Sequence, residues 1–75
     1  MTEHDVLLLS QVREDARSGR ARQTRTSAGI TQAELAEAIG TSQTTIALWE
    51  TGRRRPRGAA ALRYARVLRR LAGER

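Results

Sequence analysis

Five neutral side chains near the middle of the chain have the chemistry needed to contact the edges of nucleic-acid bases. Glutamine can form two hydrogen bonds with adenine, a threonine hydroxyl can bond to several bases, and alanine or leucine can contact a thymine methyl group. All five lie on the predicted exposed face of one short helix: Gln43, Thr44, Thr45, Ala47 and Leu48. A polar, uncharged helix face in a basic chain favours readout of bases.

Two short helices joined by a tight turn are predicted to position this face. The first begins with a T-x-x-E capping box formed by Thr31 and Glu34, and Ser42 is a suitable N-cap for the second. Gly40 lies where the chain must reverse, and glycine adopts positive φ without steric cost. The predicted spans are about 32–39 and 43–51, and the inward-facing residues of the pair are Leu35, Ala36, Ile39, Ile46 and Trp49.

Three further helices complete the predicted secondary structure. Helical spacing of apolar residues predicts one over 1–17 and another over 18–28, with a break at Gly19 because glycine weakens a helix interior. A last helix is predicted from about residue 58 to 72, after a basic connector that Pro56 holds extended. No segment alternates apolar and polar residues with period two, the pattern typical of a β-strand. The sequence therefore predicts an all-α bundle of about five helices.

Length and composition limit the possible functions. A chain of 75 residues is predicted to form one small domain, divided here into an N-terminal helix, 1–17, and a body, 18–75. There is no cysteine, and His4 is the single histidine, so neither a thiolate metal site nor a catalytic base is evident. We expect no enzymatic activity, cofactor or small-molecule ligand. Because no apolar run approaches the length of a membrane span, we expect a soluble, cytoplasmic protein.

The charge is unevenly distributed along the chain. All 14 basic residues are arginine, against 8 acidic residues, which gives a formal net charge of +6. Four of the acids lie within the first 16 residues, where Arg13 is the only basic side chain. The N-terminal segment 1–17, which we call the leader, is acidic, and the body that follows it is basic. This charge distribution predicts a polyanionic partner, either nucleic acid or an anionic membrane.

The leader has more apolar surface than one packing face requires, because Val6 to Leu9 are four consecutive apolar residues. Either this helix packs on the core of its own chain, or part of it pairs with a second copy. The last helix carries a second apolar stripe that suits the same role. The possible dimer interface therefore comprises Val6, Leu7, Leu8, Leu9, Tyr64, Val67 and Leu71.

Two segments resemble the phage repressor and Cro type of helix-turn-helix protein: GITQAELAEAIGTS at 29–42 and IALWETG at 46–52. The resemblance covers about residues 20–72 and leaves the leader outside. It implies a lambda-repressor-like helical domain whose second motif helix enters the DNA major groove. By position it makes the five neutral residues the base readers, with Gln43 first and Thr44 second. Leu48 stands where relatives often carry a polar side chain, so we expect apolar contact there.

The resemblance also implies contacts with the DNA backbone. If about 4–6 phosphates are neutralised, log K should fall with log[salt] at a slope of about −4 to −5 per protomer. Arg25 and Glu50 match positions where an arginine pairs with a glutamate and orients the helices, so Arg25 is expected to serve both the pair and a phosphate. The predicted phosphate contacts are Gln32, Thr41, Ser42, Arg25, Arg53, Arg54, Arg55 and Arg57.

The sequence predicts a homodimeric transcriptional regulator, of the small Cro-like kind found in phages and mobile elements, that binds a pseudo-palindromic double-stranded DNA site in the nucleoid. Two alternatives remain. An antitoxin-like or accessory protein would use the same fold to hold a protein partner through its apolar surfaces. Binding of the arginine-rich last helix to an anionic membrane is the third reading, which the intact helix-turn-helix motif disfavours.

Overall fold

A computed structural model describes residues 1–73. It contains five helices: α1 (Glu3–Ser18), α2 (Arg20–Ser27), α3 (Gln32–Ile39), α4 (Gln43–Glu50) and α5 (Gly58–Leu71). Over the described range there is no strand, and the predicted all-α fold is confirmed. The last two residues of the predicted body, 74 and 75, lie outside the described residues.

Local sequence signals fix the helix boundaries. Thr2 caps α1 through a reciprocal pair of hydrogen bonds with Asp5. The predicted break between the first two helices occurs at Gly19, whose φ of 90° is in the left-handed region that glycine tolerates best. An N-cap hydroxyl satisfies a backbone N–H group that would otherwise have no partner in the first turn.

The core lies where α1 and α5 pack against each other and against the helix-turn-helix pair. Its largest fully buried side chains include Val12 of α1, Tyr64 of α5, and Leu35, Ile39 and Ile46 of the pair. The α1 helix also contacts α2 and α4. The leader therefore contributes to the core that supports α4. None of the helices within residues 1–73 has the length and apolar character needed to cross a membrane.

The structure removes three residues from the predicted dimer surface. Leu8, Leu9 and Tyr64 are buried in the chain's own core. The inward stripe of α1 runs through Leu8, Leu9, Val12 and Ala16, so Val6 and Leu7 face outward. Val67 and Leu71 are half-buried, and Val67 packs against the edge of the core. Of the seven predicted interface residues, Val6 and Leu7 remain largely exposed.

Tyr64 packs against Trp49, with ring centroids 4.9 Å apart. Its hydroxyl is buried and has no hydrogen-bond partner among the described residues. Burial, together with the nearby charge of Glu50, raises the pKa of this hydroxyl well above its ordinary value. The ring therefore stabilises the core, whereas the hydroxyl is a desolvated polar group that nothing in residues 1–73 compensates.

Replacing Tyr64 with phenylalanine is expected to raise the free energy of unfolding by about 1 kcal/mol, because it removes an unsatisfied buried hydroxyl and keeps the ring. Urea unfolding followed by circular dichroism would measure the change. A matched Tyr64→Leu variant, which also loses the ring contact with Trp49, should be less stable than the wild type. A Tyr64→Phe variant that unfolds more easily would show that the hydroxyl contributes to stability.

Candidate nucleic-acid interface

The turn between α3 and α4 is held from both sides. Gly40 has φ +75°, and the Thr41 N–H donates to the carbonyl oxygen of Ala36 at 2.9 Å. From α5, Arg63 donates through Nε to the carbonyl oxygen of Ile39 at 2.8 Å. The Arg63 guanidinium thus places a positive charge at the C-terminal end of α3, where the helix dipole favours one. These contacts fix the orientation of α4 relative to α3.

The candidate base-contacting residues differ in accessibility. Gln43 and Thr44 are exposed in the first turn of α4, whereas Thr45, Ala47 and Leu48 are half-buried. The Thr45 hydroxyl lies 2.9 Å from the Ser42 hydroxyl, which itself accepts the Thr45 N–H. Within residues 1–73 the side chains of Gln43 and Thr44 have no hydrogen-bond partner, while the Thr45 hydroxyl already has one.

A buried ion pair ties α4 to α2. Arg25 donates to Glu50 through Nε at 2.6 Å and through a terminal nitrogen at 2.9 Å, and its other terminal nitrogen donates to the Ile30 carbonyl at 2.7 Å. The two side chains are 9% and 1% exposed. The predicted Arg25–Glu50 pair is present as a bidentate contact, the arrangement in which an arginine–carboxylate pair is strongest.

Gln32, the first residue of α3, is the third member of this cluster. Its side-chain nitrogen donates to Glu50 Oε1 at 3.0 Å. Burial raises the pKa of Glu50, but the hydrogen bonds from Arg25 and Gln32 and the charge of Arg25 outweigh burial, so the net shift is downward. Glu50 is therefore held as a carboxylate that accepts from α2 and α3 at once.

These contacts limit what two of the predicted phosphate ligands can offer to DNA. Each of the three guanidinium nitrogens of Arg25 is already engaged within the protein, and the side chain is nearly inaccessible, so a phosphate contact would require the pair to open. Gln32 is half-buried and has one amide hydrogen left after its bond to Glu50. The structure supports a positioning role for Arg25 in place of the predicted double role.

The segment after α4 carries exposed positive charge. The side chains of four arginines form no ion pair or hydrogen bond with any of residues 1–73: Arg53, Arg54, Arg55 and Arg57. By contrast, Arg17, Arg20 and Arg66 lie within 4 Å of acidic side chains. We call residues 53–57 the basic loop. Its arginines remain available to an external anion.

The basic loop is anchored by residues that the sequence did not single out for this purpose. Pro56 is buried, and its carbonyl oxygen accepts a hydrogen bond from Arg13 Nε of α1 at 2.8 Å. These two residues are 43 positions apart in the sequence, and Arg63 and Ile39 are 24 apart, so local patterns carry no sign of either bond. Arg13 and Arg63 are the positioning residues that sequence reasoning missed.

The family model for helix-turn-helix proteins matches residues 22–72, more than half of the chain. The chain belongs to the Cro/C1-type helix-turn-helix family. No curated protein and no solved structure matched. Membership of this family supports a role as a DNA-binding transcription regulator, and proteins of the family are generally not enzymes. The helix-turn-helix region includes α4, the basic loop and Arg25 with its partner, but the match begins after α1 and Gly19.

Proposed function

We propose that the chain is a sequence-specific transcriptional regulator that places α4 in the major groove of double-stranded DNA. The observation that carries the proposal is that α4 has an exposed, uncharged surface at its start and an exposed basic segment after its end. The exposed, uncharged start of α4 offers Gln43 and Thr44, and the unpaired arginines of the basic loop follow the same helix. One surface suits base edges and the other suits phosphates.

The other residues of the proposed interface have different roles in contacting DNA. Thr45, Ala47 and Leu48 are half-buried and would contribute mainly apolar contacts, including the threonine methyl group. The first turn of α3 has backbone N–H groups without helical acceptors, which favour an anion there. We assign the phosphate contacts to the basic loop, Gln32, Thr41 and Ser42, with Arg25 acting through Glu50.

We further propose that the regulator acts as a homodimer on a pseudo-palindromic site. Two copies of α4 related by a two-fold axis would contact half-sites about 34–36 Å apart, one turn of DNA. The closeness of the motif to the Cro type favours a small phage or mobile-element regulator working at the bacterial nucleoid. In this proposal, the N-terminal helix (1–17) packs against the helix-turn-helix body (18–75), and the two form one domain.

The test is a binding selection on random duplexes with wild type, Gln43→Ala and Thr44→Ala. We expect wild type to enrich one sequence, and each variant to lose about 1–3 kcal/mol of discrimination at the positions that its side chain contacts. Gln23→Ala provides the matched control, because Gln23 is exposed on α2 and is not among the proposed contact residues. If both α4 variants enriched the wild-type sequence with undiminished preference, α4 would not be the recognition helix.

One observation favours the antitoxin-like alternative, in which the fold holds a protein partner. The N-terminal part of α1 exposes Val6 and Leu7, which a monomer would leave in water. A chain that enriched no duplex at low salt would support this alternative over DNA recognition. The same apolar surface is also compatible with the homodimer.

A further inference from the structure

The large apolar side chains that stand exposed within residues 1–73 are concentrated at one end of the molecule. Met1 is 80% exposed, Val6 52% and Leu7 62%. Glu3 lies among them, is exposed and forms no ion pair within the described range. We call residues 1–7 the α1 tip. It combines exposed apolar groups with a carboxylate that has no ion-pair partner in residues 1–73.

A groove with the complementary character runs between α1 and the segment that follows α4. Leu9, Trp49 and Pro56 line it but are buried, so its exposed apolar lining consists of Met1 and Val6. Arg54 and Arg55 lie along it and, within residues 1–73, have no acidic partner. We call this the α1–loop groove. Its apolar lining beside two unpaired arginines suits a segment that carries apolar side chains and a carboxylate.

We propose that the α1 tip of a second copy of this chain occupies the α1–loop groove, with its Glu3 facing Arg54 and Arg55. The charge complementarity of tip and groove is the first argument. The second is position: Met1 and Val6 of the tip themselves line the groove of their own chain, so the two surfaces adjoin. In a two-fold interface, adjoining complementary surfaces let each copy give and receive the same contact.

The proposal rests on the homodimer of the proposed function and specifies its interface. It uses residues outside the segment that the family match covers, 22–72, on one side of the contact, and residues of the basic loop on the other. Arg53 and Arg57 do not line the groove and stay free in the dimer. Arg54 and Arg55 would lie next to Glu3 of the second copy, so in the dimer the phosphate contacts assigned to the basic loop would fall mainly to Arg53 and Arg57.

Sedimentation velocity over a concentration series, without DNA, tests the interface by charge exchange. Wild type should dimerise, and both Glu3→Arg and the double variant Arg54→Glu/Arg55→Glu should weaken dimerisation by at least about tenfold, because like charges would then face each other. The triple variant that combines them restores opposite charges and should dimerise more tightly than either. Simple loss of folding would not produce this recovery.

The matched controls change the same charges elsewhere on the surface. Glu37→Arg and the double variant Arg22→Glu/Arg70→Glu alter exposed residues that do not line the groove, and they should dimerise like wild type. An uncharged probe of the tip, Val6→Ser/Leu7→Ser, should weaken dimerisation while thermal unfolding shows that the fold is kept.

Two results would overturn the interface. One is a wild-type chain that remains monomeric up to about 1 mM, the concentration scale of a free energy near −4 kcal/mol. The other is a triple variant no tighter than the single-sided ones. Neither result depends on DNA, and binding of one half-site duplex can be measured separately. A wild-type chain that stays monomeric but binds the half-site duplex would reject this interface alone, whereas a wild-type chain that dimerises but binds no DNA would reject the proposed function.

Discussion

Replacing Glu50 with alanine is expected to lower the free energy of unfolding by about 3–5 kcal/mol, because the change leaves the guanidinium of Arg25 buried without its counter-charge. Two of the three hydrogen bonds that hold Arg25 go to Glu50, and Gln32 loses its acceptor as well. Urea unfolding would measure the loss. Glu37→Ala is the matched control, since Glu37 is exposed on α3, and it should change stability little.

The pair should also be sensitive to acid. The folded protein holds the pKa of Glu50 below its ordinary value of 4.5, so ionised Glu50 contributes stability above that value. As the pH falls below 4.5 toward the lower folded pKa, the protein must lose this contribution. Asp5 and Glu34, whose pKa values are lowered mainly by backbone hydrogen bonds, act in the same direction. The difference between wild type and Glu50→Gln isolates the share of Glu50.

A double replacement distinguishes the ion pair from simple packing. Removing both charges with Arg25→Leu/Glu50→Leu should cost less than the sum of the two single changes, because neither charge is then left alone. Strict additivity, or a Glu50→Ala variant as stable as wild type, would show that the pair contributes no coupling energy to the stability of the fold.

Removing the basic loop's charge is expected to have the largest effect on DNA binding. Changing Arg53, Arg54, Arg55 and Arg57 together to glutamine should weaken binding at 0.1 M salt by about 10²- to 10³-fold and make the salt slope shallower by about 2–4. The reason is that each arginine in contact with a phosphate releases roughly 0.9 counterion. Titration of a labelled duplex at several salt concentrations would measure both quantities.

The control for this experiment carries the same net charge. It replaces four arginines outside the loop with glutamine: Arg17, Arg20, Arg66 and Arg70. The first three of these lie within 4 Å of acidic side chains. We expect it to keep most of the affinity and the slope. If both quadruple variants lost affinity equally, net charge alone would explain binding, and the proposed phosphate contacts of the basic loop would be rejected.

Features set by neighbouring residues could be predicted from the sequence. The capping box of Thr31 and Glu34, the reversal at Gly40 and the cap at Ser42 each involve residues within a few positions, and the structure contains all three. The resemblance predicted the Arg25–Glu50 contact across 25 positions, which no local pattern could have indicated. Family knowledge supplied what periodicity lacked.

Features set by the packing of distant segments were missed. Four consecutive apolar residues cannot show which two face the core, because that depends on where α5 and α4 lie; Leu8 and Leu9 face it, and Val6 and Leu7 do not. The sequence neighbourhood of Gln32 likewise gives no sign that its side-chain amide donates to Glu50, 18 residues away.

The hydrogen bond from Arg63 to the Ile39 carbonyl bears on how the chain would meet DNA. Together with the capped ends of α3 and α4, it leaves the motif ordered before any ligand arrives. In the proposed function, association would then be docking of a rigid body, without an ordering step for these helices. Encounter and orientation would set the association rate, and long-range attraction by the arginines would accelerate it most at low ionic strength.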